Sequence, residues 1–143
     1  MHDLNDLNYC ITIELDLKDY EHVKFMNSIN TFYNSCVNII YANRALMKLH
    51  RFNTSLPVEC GFDHPIKYHR NEFDGLPLPN KNPYMCIQLA NTFPENIIHN
   101  GHHFNAKNFV PDITFIPIIN FNLIVRRNRY CLLKYEMIGA EIL

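Results

Sequence analysis

Tryptophan is missing from this chain of 143 residues, and glycine occurs only as Gly61, Gly75, Gly101 and Gly139. With no two glycines close together, neither a phosphate-cradling P-loop nor a G-x-G-x-x-G dinucleotide turn can be drawn. Nucleotide-dependent enzymology of those kinds is excluded. No G-x-S-x-G is present, so there is no nucleophile elbow. Cys10, Cys36, Cys60, Cys86 and Cys131 are odd in number, widely spaced and form no C-x-x-C pair. That spacing speaks against a disulfide framework and a cysteine zinc site, and predicts a reducing compartment. A charge excess is missing too: the net charge is -1 and the pI near 6.7, so no global field draws nucleic acid or an anionic membrane. No apolar run reaches membrane-spanning length. The first eight residues carry Asp and Asn where a secretory signal needs a basic start and an apolar core. The expectation is an intracellular chain or a virion component, neither secreted nor membrane-spanning.

What is present is ordinary material for a core, 48% hydrophobic and 19% charged, and the length suits a single domain over 1–143. From Tyr9 to Leu17 apolar and polar residues alternate strictly, with Tyr9, Ile11, Ile13, Leu15 and Leu17 on one side, which predicts a half-buried strand. Asp19 is placed to cap a helix with Glu21 in its first turn. Val23, Met26, Ile29, Tyr33, Cys36, Val37 and Ile40 then recur at three- and four-residue steps, and Lys48, His50 and Arg51 suit a C-terminal end, so the helix is expected from Asp19 to about Leu49. Tyr84 to Ala90 reads as a short strand. The closing stretch reads as a hairpin: an apolar strand from Ile113 to Val125, a polar turn Arg126-Arg127-Asn128-Arg129, and a second strand with Cys131, Leu133, Tyr135 and Met137 on its apolar face. Gly139 would allow a bulge or bend, and Ile142-Leu143 are expected to be buried. The fold class is therefore α+β, a mainly antiparallel sheet with one long amphipathic helix packed on it and long Pro-rich loops.

Two segments resist regular structure. Between Asn53 and Pro83 lie Pro57, Gly61, Pro65, Gly75, Pro77, Pro79 and Pro83, so 53–83 is read as an extended loop or arm, and 93–109 as a second. Phe62, Tyr68 and Phe73 in the first are too apolar for a free solvated loop and are expected to contact a partner, another chain ordering the segment.

Histidine is the residue most over-used. His64 and His69 in the first loop and His99, His102 and His103 in the second are the candidate metal ligands, since imidazole takes zinc and other transition metals. Gly101-His102-His103 resembles the Gly-His-His core of the HNH nucleases, which implies one histidine activating water, its neighbours holding a metal, and a following helix that returns a further ligand. Arg126, Arg127 and Arg129, with Phe121, Tyr130 and Tyr135 nearby, form the one basic and aromatic group; such a group could grip a phosphate backbone and stack bases, or dock on an acidic protein surface. The Pro111–Pro117 strand and the Tyr130–Ile142 strand are similar in style to the sheet-forming ends of bacteriophage tail and other virion structural proteins. That resemblance implies a subunit completed by its neighbours, with no active site. With no complete catalytic set, the expectation is a non-catalytic structural or assembly protein, a virion or tail subunit needing no cofactor. Its partners would be other protein subunits in a homo- or hetero-oligomer, with Arg126, Arg127, Arg129, Tyr130, Phe62, Tyr68 and Phe73 as contact residues. The alternatives are a metal-dependent nuclease and a single-stranded nucleic-acid binding protein.

Overall fold

The computed structural model describes residues 10–54, 57, 62–126 and 130–143, with the side chains of Arg126 and Tyr130 outside the description. The chain falls into two compact units, one made of Met1–Ile11, Cys86–Asn122 and Tyr135–Leu143, the other of Thr12–Met85 and Leu123–Lys134. Among the described residues the elements include one α-helix and a mixed sheet of six strands, an α+β content.

In the second unit the strand β1 (Cys10–Glu14, begun in the other unit) keeps the alternation of its sequence: Ile11 and Ile13 are half-buried between exposed neighbours, and Leu15 beyond them is buried. The helix α1 (Tyr20–Ala42) starts where Asp19 accepts the Glu21 N–H at 2.9 Å, satisfying one of the donors a helix start leaves open. Ile29, Tyr33, Val37 and Ile40 form its buried stripe. The helix stops at Ala42, short of the Leu49 expected. Asn43 is the cause: its backbone N–H lies on the Ile39, Ile40 and Tyr41 carbonyls, and its side-chain amide donates to Ile39 O at 2.8 Å. Residues 43–48 run in turns, Lys48 takes a φ of 56°, and Leu49 and Phe52 return to the core.

The first unit is arranged along the last strand, β6 (Tyr130–Ile142). The strand β2 (Tyr84–Leu89) pairs with it in parallel at Gln88↔Glu136 and Leu89↔Met137, and β3 (Ile97–His99) pairs in parallel at Ile97↔Ala140, Ile98↔Glu141 and His99↔Ile142. β3 is antiparallel to β4 (His102–His103), and β5 (Phe115–Arg126) also pairs with β6. The strand order is β1-β2-β6-β3-β4 with β5 on β6.

The sheet is mixed, which corrects the mainly antiparallel one expected. The link between β2 and β3 makes parallel pairing possible without the usual long crossover. Ala90 N–H donates to Met137 O at 2.9 Å and Ala140 N–H to Asn96 O at 3.1 Å, so the link advances along β6 in that strand's own direction. Gly139 serves this approach: a Cβ there would lie 2.7 Å from the Asn96 carbonyl oxygen. Pro117 sits within β5, where a residue with no N–H is tolerated at a sheet edge or bulge. Ile142 is buried as expected, whereas the Leu143 side chain is exposed. Among the described residues no helix is long and apolar enough to cross a membrane.

Candidate functional site

The first Pro-rich segment is ordered at its base by its own unit. Phe62, Pro65 and Ile66 are buried, and Lys67 and Tyr84 exchange backbone hydrogen bonds of 2.8 and 2.9 Å. This departs from the expectation that another chain orders the segment. Phe62, read as a contact residue, has 0% of its surface exposed. Tyr33 of α1 stacks on its ring at 5.3 Å and donates its hydroxyl to the Phe62 carbonyl at 2.9 Å, while Phe52 meets the ring edge-on. Burial comes first in pushing the Tyr33 hydroxyl above its ordinary value, with Asp63 and Cys131 adding to it.

Beyond that base an arm projects. Leu78 N–H donates to His69 O at 2.8 Å, Arg70 bridges to Pro77, and Asn71 N–H donates to Leu76 O at 2.9 Å. The tip is closed from inside. Asn71 Oδ1 accepts the Phe73 N–H, Asp74 Oδ1 accepts the Leu76 N–H, Gly75 N–H donates to Asn71 O, and the Arg70 guanidinium donates to Gly75 O. Gly75 has a φ of 70°, a conformation that a residue without Cβ adopts freely. Local hydrogen bonds thus fix the turn, and its apolar side chains do nothing for it: Phe73 is 98% exposed and Leu76 62%. Tyr68 on the same arm is also exposed, with the Arg70 guanidinium 5.9 Å from its ring centroid. A buried Phe contributes roughly 1.5–3 kcal/mol to a fold; Phe73 forgoes that stabilisation on a backbone that hydrogen bonds hold in place.

The histidines are distributed, not gathered. His64 accepts the Ile66 N–H on Nδ1 at 3.0 Å and lies 4.3 Å from the Tyr33 ring. Burial is the largest cause holding its pKa below the ordinary value; the Lys67 ammonium adds to it, while the Asp63 carboxylate that Lys67 pairs with and the Ile66 backbone hydrogen bond oppose it. His69 packs on Tyr84. On the β3–β4 hairpin, His99 Nδ1 lies 3.2 Å from Ile142 O and His103 Nε2 lies 3.1 Å from Pro94 O, so each of those nitrogens is the donor to a carbonyl. Such a nitrogen offers no lone pair to a metal, and the lone pair of each neutral ring is on its other nitrogen. His102 is exposed opposite His99. Among the described residues no group of three or more His, Cys, Asp and Glu side chains is placed to hold a metal ion. After His103 the chain makes only a three-residue 3-10 turn, Ala106–Asn108, before β5. The further ligand-bearing helix implied by the HNH resemblance does not follow.

The basic turn lies outside the described residues at Arg127 and Arg129, and the side chains of Arg126 and Tyr130 lie outside them too. Of the aromatics around it, Phe121 and Tyr135 lie against each other at 6.2 Å. Sequence reasoning missed a second exposed apolar group at the end of α1, Ile39, Tyr41 and Leu46. Ile39 and Leu46 stand seven residues apart, a spacing that marks one side of a helix, but only Ile39 is inside it. Comparison with protein-family models, with curated proteins and with solved structures found no match for this chain.

Proposed function

We propose that this chain is a non-catalytic structural subunit that works through protein–protein contacts, in the manner of bacteriophage tail and virion proteins. The observation that carries the reading is the arm. Its backbone is hydrogen-bonded from base to tip, so docking Phe73 and Leu76 costs side-chain rotamer freedom but little further backbone entropy. Large aromatic side chains presented in this way are the anchors that dominate protein interfaces. The basic turn is proposed as a further contact with an acidic protein surface.

Sedimentation of a gently prepared extract from cells that make the protein tests this reading. The chain is expected in particles well above its own 16.9 kDa; recovery of all of it at monomer size would overturn the reading.

A further inference from the structure

Among the described residues of its unit the arm is one of several exposed apolar groups, and the group at the end of α1 carries the opposite charge. At the arm, Phe73 stands between the carboxylates of Glu72 and Asp74, which outnumber the arm's one cation, Arg70, whose guanidinium is turned onto the Gly75 carbonyl. At the end of α1, Ile39 is 62% and Leu46 80% exposed. Between Ile39 and Phe52 stand Arg44, Lys48 and Arg51 and no carboxylate. A helix C-terminus ordinarily repels anions through its unpaired carbonyls. Here Asn43 occupies those of Ile39 and Ile40, and the Arg44 guanidinium donates to Tyr41 O at 2.7 Å while lying 3.9 Å from the Tyr41 ring centroid. The helix end therefore presents apolar side chains with cations around them.

We propose that the acidic, Phe73-tipped arm of one copy docks on the basic, apolar α1 end of a second copy of this chain. The inference rests on the assembly reading above and names its partner. Both groups are solvent-exposed in the single chain, so neither is satisfied by the other within it. Two different patches meet in such a contact. It is heterologous and leaves one arm and one helix end free in every dimer, which extends into rings or filaments rather than stopping at two. Acidic flanks disfavour an anionic membrane as the alternative seat for Phe73, since carboxylates are repelled by its surface potential.

The test is sedimentation velocity on the purified full chain over rising concentration, with two variants. Glu72→Lys with Phe73→Ser spoils the arm, and Leu46→Glu with Lys48→Glu spoils the helix end. None of these four side chains supports the fold, and unchanged melting curves confirm it. The wild type is expected to grow beyond dimers with concentration and to associate less in high salt. Each variant alone stays monomeric. An equimolar mixture of the two forms a one-to-one dimer that does not extend, because it holds one working arm and one working helix end. A wild type that stays monomeric, variants that associate like it, or a mixture that fails to dimerise overturns the proposal. If the purified chain is monomeric while the chain in extracts remains in large particles, self-docking alone has failed; monomers in both sink the assembly reading as well.

Discussion

The Tyr33 hydroxyl donates to the carbonyl of Phe62, and the two rings stack, so one helix residue anchors both the backbone and the side chain at the base of the arm. Tyr33→Phe keeps the ring and leaves the Phe62 carbonyl without that donor, an expected loss of about 1–3 kcal/mol. Tyr33→Ala also opens a cavity beside Phe52 and Phe62, and should cost about 3–5 kcal/mol. Urea unfolding of the three proteins checks the order. Equal stability of Tyr33→Phe and the wild type would remove the hydrogen bond from the account.

His64 predicts a pH dependence. Its pKa lies below the ordinary value in the folded chain, chiefly through burial, and its Nδ1 already accepts the Ile66 N–H. The unfolded chain therefore binds the extra proton more readily. Stability from this group is complete above about pH 6.5, the value of a free imidazole, and is lost as the pH falls through the lower folded value. Unfolding midpoints measured from pH 7.5 down to 5 should fall, and His64→Gln should flatten the part of the slope that belongs to this ring. An unchanged slope in the variant would contradict the assignment.

Gly139→Ala puts a methyl group 2.7 Å from the Asn96 carbonyl oxygen. Backbone on both sides must shift, and overpacking of this kind costs about 1–3 kcal/mol. Thermal melting reads the loss directly. A variant as stable as the wild type would mean that the link into β3 has room to move.

Much of this fold is written in local pattern. The alternation of Ile11, Ile13 and Leu15, the Asp19 cap and the Ile29–Tyr33–Val37–Ile40 stripe reappear where the sequence puts them, whereas the strand ends at Glu14 and Leu17, expected on the same side, is exposed in a turn; Tyr9 lies outside the described residues. The direction of pairing was not legible, because a period of two fixes which face a strand buries and says nothing of which way its neighbour runs. The end of α1 was missed because Lys48, His50 and Arg51 suit a helix terminus, whereas Asn43 had already taken the last carbonyls. The β3–β4 hairpin was missed although its signal is present: Asn100 and Gly101 both take positive φ, 51° and 77°, as a two-residue turn of the Asn-Gly kind requires. Its histidines drew attention away from the turn. At the candidate site, Phe73 was legible as an apolar residue in a polar loop, and Phe62 was read in the same way from the same neighbourhood. Tyr33, 29 positions earlier, separates them by burying Phe62.

Phe73→Ala decides most directly whether the arm exists for contact with other proteins. Its thermal unfolding and its sedimentation should be measured on the same preparation. Because the side chain packs on nothing in its own chain, the melting free energy should stay within about 0.5 kcal/mol of the wild type. Incorporation into the large particles of the native extract should be lost. A clear fall in stability, or particles that incorporate the variant as fully as the wild type, would contradict the account.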